Sequence, residues 1–458
     1  MTDSLDDVLG AVDDPVAWLR SRGRSPGDLL PIGGDIPAEF TNWREEQRAW
    51  TESAVLMDQS QHMIDLFLDG PDAVEVVADL GVNDFSDFEP GKAKQFVAAN
   101  PEGYLIGDAV LFHLWDGTLD LVGTPPAIDW VQYHVETGDY DVAVEREGNA
   151  FTRQGPPRRF RYQVQGPNAL AIMREAIEGD LPDVDFFEFA PVTIDGVEVN
   201  ALRHGMLSEV GLELFGPREE GEAVREAILA AGEAHDLRQV GMKAYMTNNV
   251  NGWLPAPLPA IYGDDGGLDG FREWLGAHSW EARFSVGGSY AGDDVTDYYL
   301  TPREAGYGDL IDFDGDFVGK EALRAESVER GRTKVTLIWD WSETVAAVEG
   351  LAAEPTTKFL SLPRPHYAQS MYDRIEHAGE TVGVSKFPCY RDHVGEMMSL
   401  GIVDEDLSDP GTTVTVVWGE ENSEKPQVEP HEEIEIEATV GPVPYRGDRR
   451  KTADYTTA

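Results

Sequence analysis

From Met63 to Asp69 the chain alternates, with Ile64, Leu66 and Leu68 set against Met63, Asp65, Phe67 and Asp69. A period of two predicts a strand. Gly70-Pro71 follows and the pattern widens to that of a helix, with Pro71 suited to a first helical turn. The same order of strand, Gly-Pro and helix returns from Phe160 to Ile177, where RYQVQ runs into GPNALAIMREAI. This weak internal repeat predicts two similar α+β units. Between the repeats, GYLIGDAVLFHLWDGTLDLVGTP contains two strands joined at Asp116-Gly117, and a further strand pair between Val192 and Leu214 turns at Asp195-Gly196.

The flanking regions have their own character. Residues 1–35 read as short helical pieces joined by SRGRSPGD and PIGGD, an N-terminal extension expected on the surface, and Trp43 to Val55 follows a helical pattern. Asn249 to Gly267 is rich in proline and glycine and predicts an ordered irregular segment before a helix around Phe271 to Leu275. From Lys334 onward KVTLIWD, GETVGVSKF, MMSLGIV, TTVTVVWG and EEIEIEATV recur at barrel-like spacing, which predicts a separate C-terminal β domain.

Charge narrows the functions open to such a chain. Over 458 residues, 85 Asp and Glu stand against 36 Lys and Arg, a formal charge of -49. That balance excludes a general nucleic-acid binder, which needs a basic phosphate-facing surface, and disfavours electrostatic anchoring to an anionic membrane. The acids are spread along the whole chain and nine lysines accompany 27 arginines, usage that predicts a halophilic protein. In molar salt the Debye length falls to about 3 Å and self-repulsion is screened. The N-terminal stretch lacks the pattern of a secretory signal, no apolar run reaches the length of a membrane span, and Cys389 is the single cysteine, so a cytoplasmic location is expected.

Familiar catalytic motifs fail. The chain has no dinucleotide fingerprint after a strand, no phosphate-binding loop, no nucleophile elbow and no zinc-protease motif. Asp312, Asp314 and Asp316 begin like a calcium loop, but Phe317 stands where the sharp turn needs Gly and Leu323 where the loop needs Glu. The histidines show no ligand spacing, and no metal site is expected.

The surviving runs are specific in combination: PAEFTNWREEQRAW, LMDQSQHMIDL, LGVNDF, GKAKQFVAANPEGYLIGDAVLF, YQVQGPNA, ALRHGM, GLELFGPREEG, GYGDLIDFDGDFVGKEAL and ATVGPVPY. In this order, from about Pro37 to Tyr445, they resemble the aminomethyltransferase superfamily of the glycine cleavage T-protein. Within it they are similar to tetrahydrofolate-dependent O-demethylases of vanillate and syringate type methoxyaromatics. The resemblance implies an α+β fold with three domains around a central folate cavity, the last a β barrel or jelly roll. Combined with the pattern, it predicts an extension over 1–35, a folate-binding region of two interleaved α+β domains over 36–332, a β-rich domain over 333–447 and a tail over 448–458.

The resemblance also assigns residues. Glu213 in GLELFGP stands where the family uses a Glu to hold the pterin, whose ring N–H and exocyclic amine are two adjacent donors that one carboxylate accepts together. Tyr245 matches a tyrosine associated with demethylase catalysis, its phenol able to donate to a departing aryl oxygen. His62 in DQSQHMIDL matches a substrate-pocket histidine. From the residues alone, packing roles explain both equally well. Asp108 falls on a run that ordinary T-proteins write with two aspartates, where an Asp near the folate amine is catalytic; Gly107 now holds the first place, and Asp108 is the catalytic candidate near that amine or the substrate amine, with a strand-end cap as its alternative. Gln95, Lys94 and Trp253 are candidates to line the folate cavity.

Two departures bear on the substrate. Thr124 occupies the place where methoxybenzoate demethylases carry an Arg, which removes the natural partner of a carboxylate and leaves Arg203 as a candidate substitute. Asn251, in MTNNVNG, stands near the Glu of a T-protein R-x-E-x-G run, which disfavours glycine cleavage. The expected activity is transfer of a methyl group from a small-molecule donor to tetrahydrofolate. The alternatives are a T-protein served by a lipoyl carrier protein, and a non-catalytic folate-binding assembly protein, whose K-G-C-Y motif FPCYRD only faintly echoes.

Overall fold

A computed structural model describes residues 4–22, 36–206, 208–248, 252–254, 257–263, 267–326, 331–421, 423–450 and 455. Asn251 and most of the tail lie outside them. Two sheets and a barrel organise the chain. Strand β1 (Ala54–Asp58) starts a six-stranded sheet, and the chain then leaves it to build a five-stranded one from β2 (Ile64–Asp69), β3 (Ala93–Ala99), β4 (Leu105–His113), β5 (Leu119–Gly123) and β6 (Ala143–Glu147). It returns through β7 (Arg159–Gln165), β8 (Phe189–Ile194), β9 (Val197–Leu202), β10 (Gly211–Pro217) and β11 (Leu237–Gln239). The sheet orders are β3-β4-β5-β2-β6 and β11-β1-β7-β10-β9-β8.

The internal repeat is a repeat of turn chemistry. β2 and β7 each end at a glycine with positive φ, 156° at Gly70 and 127° at Gly166, before helices Ala73–Leu80 and Ala169–Ala176. A Cβ at Gly70 would lie 2.2 Å from the Asp141 carbonyl oxygen, and one at Gly166 2.7 Å from that of Ser53. Only glycine lets these strands turn so close to neighbouring backbone. Pro71 belongs to this turn and the first helix begins two residues later. Asp195 and Gly196, both at positive φ, make the two-residue turn between β8 and β9, and Asp116-Gly117 lies between β4 and β5.

Three expectations change. The helix beginning at Trp43 ends at Glu52, and Ala54 and Val55 open β1, where β-branching suits the central strand position better than helix. The N-terminal pieces Leu5–Leu9 and Pro15–Ser21 are not a surface extension: they are capped by Ser4 and Asp14 and put Leu5, Val16 and Leu19 into the main core. Arg20 fastens them through the carbonyls of Gly288 and Tyr290. At the other end Tyr455 is buried in the core of the six-stranded sheet, and its hydroxyl donates to the Gly211 carbonyl.

The C-terminal unit is a closed antiparallel barrel of six strands, Arg332–Trp339, Glu396–Asp404, Glu380–Arg391, Asp373–His377, Thr413–Trp418 and Ile434–Gly441 in spatial order. Closure leaves no sheet edge, and Trp339, Ile375, Val416, Trp418 and Ile436 fill the interior. The fourth strand in that order, DRIEH, carries one aliphatic residue among charged ones and escapes a hydrophobic pattern. Among the described residues no helix is long and apolar enough to cross a membrane.

Candidate active site

Both sheets, the irregular segment after Met242 and the barrel contribute side chains to one cavity of about 770 Å³. His62, Gln95, Asp108, Glu213, Tyr245 and Trp253 all line it, as does Thr124. Lys94 does not. Alternation along β3 sends Gln95 inward and leaves Lys94 on the other face, where it donates to Asp87 at 2.6 Å.

Glu213 sits on β10 opposite Gln163 of β7 and Leu202 of β9, while Leu212 and Leu214 on the other face enter the core. Its carboxylate is nearly buried, yet among the described residues the nearest titratable partner is His204, with Nδ1 3.6 Å from Oε2, beyond hydrogen-bonding distance. Nearby, Gln163 Oε1, Gln59 Nε2 and His204 Nδ1 are buried and unpartnered among the described residues. A buried acceptor without donors is costly unless something else supplies them.

Tyr245 closes a short helix, Met242–Tyr245, that is pinned from outside the cavity. Glu46 accepts from the Gly241 N–H at 2.8 Å, and the Met242 N–H donates to Pro37. Gly241 is needed there because a Cβ would lie 2.6 Å from the Glu39 Cα. So held, the phenol oxygen of Tyr245 lies 2.9 Å from His62 Nε2, and His62 Nδ1 is left unpartnered among the described residues. Burial draws the imidazole down to about 4, with the Glu213 charge opposing, and the ring is neutral at pH 7. Burial, then the same Glu213 charge, push the phenol far above its ordinary value, so it keeps its proton.

Asp108 on β4 forms a second centre. Its Oδ2 accepts from Gln95 Nε2 at 2.7 Å, from Trp253 Nε1 at 2.9 Å and from the Tyr307 hydroxyl at 3.0 Å. Burial nevertheless raises its pKa against the pull of those donors and of Lys334. Lys334, held by the carbonyls of Gly252 and Ala305, is itself drawn down to about 8 by burial. Tyr307 and Lys334 were not singled out by sequence, although Tyr307 lies inside GYGDLIDF and Lys334 opens the first barrel run.

Between the sheets lies a buried ion cluster that pattern reading also misses. Arg161 on β7 donates to Asp65 of β2 at 2.5 Å and to Asp120 of β5 at 2.8 Å, and Arg159 donates to the same Asp120 oxygen. It ties the two sheets together two residues along β7 from Gln163, the partner of Glu213. Arg203 does not serve as the substitute cation: its guanidinium lies over the Tyr455 ring, 4.1 Å from the centroid, and it is not among the cavity-lining residues.

Comparison with known proteins agrees with this architecture. The GCVT N-terminal domain family matches residues 30–256. The chain is 43% identical over 450 residues to a syringate O-demethylase of Sphingobium sp., covering 97% of this chain and 96% of that one. It is 27% identical to a sesamin methylene transferase of Sinomonas sp., covering 90% of each, and 26% identical to a probable aminomethyltransferase of Halobacterium salinarum, covering 84% and 88%. The crystal structure of the glycine cleavage system aminomethyltransferase T from Bartonella henselae shares the fold, with a TM-score of 0.60 at 17% identity over 92% of this chain and 95% of that one. Given the near full-length identity to the first of these relatives, the chain belongs to the glycine cleavage T-protein (aminomethyltransferase) superfamily, alongside its O-demethylases.

Proposed function

We propose that this protein is a tetrahydrofolate-dependent one-carbon transferase that takes a methyl group from a methoxyaromatic donor. The observation that carries the reading is the juxtaposition, in one cavity, of a carboxylate at Glu213 that receives no hydrogen bond from the described residues and a proton-bearing phenol at Tyr245 hydrogen-bonded to a neutral His62.

The cavity suits the folate: Glu213 offers two oxygens to the paired donors of a pterin, the buried amide of Gln163 adds an acceptor beside it, and Trp253 contributes an aromatic wall. When bound, tetrahydrofolate supplies N5 as the nucleophilic acceptor of the methyl group. The remaining work falls to side chains. In the Nε2–H tautomer His62 donates to the Tyr245 oxygen, which frees the phenolic proton for the aryl oxygen as its bond to methyl carbon breaks. Asp108 takes the proton that the acceptor amine loses on gaining carbon. The proton given up at one centre is recovered at the other, so donor ether plus amine yields phenol plus N-methyl amine. Closure by both sheets and the barrel keeps water from competing.

The same residues serve an aminomethyl donor on a lipoyl carrier poorly, since a lipoyl thiolate leaves without a phenol to protonate it. We also infer that the protein works in a salt-rich cytoplasm, as its charge suits. The test is anaerobic incubation in molar KCl with tetrahydrofolate and, separately, methoxyaromatics or glycine with lipoyl carrier. Methyl-tetrahydrofolate from a methoxyaromatic is the expected product, and methylene-tetrahydrofolate formed only with the carrier would overturn the reading.

A further inference from the structure

Four arginines line the cavity, and three are accounted for. Arg146 is paired with Asp129, Arg450 binds Asp448 through two bonds, and Arg283 lies at the exposed rim. Arg364 is different. Among the described residues the one hydrogen bond of its guanidinium goes to the Met246 carbonyl at 3.3 Å, and no carboxylate stands within ion-pair distance. In a chain of net charge -49, a cavity-facing guanidinium that no acid has captured is an exception in need of a reason. Burial without an anion lowers its pKa to about 10.

A second, independent feature meets it there. Phe387 adopts φ 54°, a left-handed conformation that a bulky side chain rarely takes, at an irregularity where the pairing of its strand slips between Lys386 and Cys389. Such bulges re-aim a side chain. Here the result is a ring that lines the cavity and lies under the Arg364 guanidinium, 4.6 Å from centroid to Cζ. The strain falls in FPCYRD, the run whose faint motif the sequence left without a role.

We infer that Arg364 and Phe387 form the subsite for an aromatic carboxylate, the guanidinium taking the carboxylate and the Phe387 ring packing beside the donor's ring. The inference rests on the proposed function and assigns the cation that holds its donor to the barrel side of the cavity, not to the strand end where Thr124 stands. The carboxylates of the folate tail have the same chemistry, but place argues against them. Arg364 is bonded to the carbonyl of Met246, the residue after Tyr245, which sets it at the reacting end of the cavity. The tail's carboxylates hang at the end of the folate remote from its reacting nitrogen.

Binding decides the matter without turnover. Vanillate and vanillamide, which differ by the charge, are titrated against intrinsic tryptophan fluorescence at matched ionic strength. Vanillate is expected to bind the unaltered protein roughly 10- to 100-fold more tightly, the size of a charge-assisted bidentate pair. Arg364→Gln should erase that preference, Arg364→Lys should keep part of it, and both should bind tetrahydrofolate as before. Phe387→Leu should weaken acid and amide alike. Equal affinity of the unaltered protein for the two ligands overturns the inference whether or not any variant folds. So does an Arg364→Gln protein that keeps the preference but loses tetrahydrofolate affinity, which would give the guanidinium to the folate tail. A vanillate preference lost in Arg364→Gln supports the subsite even if methyl transfer is never observed, in which case the proposed function alone falls.

Discussion

Replacing Glu213 by Gln separates binding from stability. The side chain keeps its shape, but the charge goes and one acceptor oxygen becomes a donor facing another donor. Each hydrogen bond to a charged group contributes about 1.5–3 kcal/mol net, so losing charge assistance on one pterin donor and the bond on the other should cost about 2–4 kcal/mol. At about 1.4 kcal/mol per decade, the tetrahydrofolate Kd should rise roughly 30- to 700-fold. Stability should move the other way or not at all: the carboxylate receives no hydrogen bond from the described residues, so the folded protein loses no partner and sheds a buried charge. Fluorescence titration with tetrahydrofolate and a thermal melt of the ligand-free protein measure the two quantities. A Glu213→Gln protein with native affinity, or one whose Tm falls as far as its affinity, would show that the carboxylate supports the fold and that the pterin is held elsewhere.

Tyr245→Phe should reduce kcat by about 10²- to 10⁴-fold with tetrahydrofolate affinity unchanged, and single-turnover rates that stay native would remove the phenol from the chemistry. His62 has a pKa of about 4 in the fold against an ordinary 6.5, so the unfolded chain takes up its proton first as pH falls. The stability this neutral ring contributes above about pH 6.5 is lost on the way to pH 4, and urea midpoints of the unaltered protein should drop faster across that window than those of His62→Gln. Gly70→Ala should cost about 3 kcal/mol, because its Cβ meets the Asp141 carbonyl oxygen at 2.2 Å, whereas Gly117→Ala, with φ 90° but nothing within 4 Å, should cost about 1 kcal/mol in the same urea titration. With a formal charge of -49, thermal stability should rise steadily as KCl goes from dilute to molar, and a flat response would separate the acidity from salt.

The fold was legible where side chains repeat. Alternation found β2, glycine with proline found the paired strand-to-helix turns, and Asp195-Gly196 found the hairpin, because each is a local rule that few residues satisfy. The N-terminal helices were misplaced for the opposite reason: Leu5, Val16 and Leu19 are too few to reveal a buried face until the partner surface around Gly288 and Tyr290, more than 260 residues away, is present. The six residues that the motifs single out as site candidates all line the one cavity. Tyr307, Lys334 and Arg364 were missed because each acts on a residue far off in sequence, Asp108 for the first two and Met246 for the third.

That distance has a mechanistic counterpart. A methyl transfer from an ether to an amine must deliver one proton and remove another, and a single group cannot be strong acid and ready base at the same moment. Asp108 belongs to the five-stranded sheet, whereas Tyr245 follows directly on β11 at the edge of the six-stranded one. Each therefore sits in its own electrostatic setting: the phenol is kept protonated by burial and the Glu213 charge, the carboxyl held in reach of an amine proton by burial that three donors and Lys334 only partly offset. Two repeated units facing one cavity provide what one unit does not, two separate proton-handling centres, a phenol and a carboxyl. The Arg161 cluster, bridging β7 to β2 and β5, then matters for more than stability, since it fixes the separation of the sheets on which that division of labour depends.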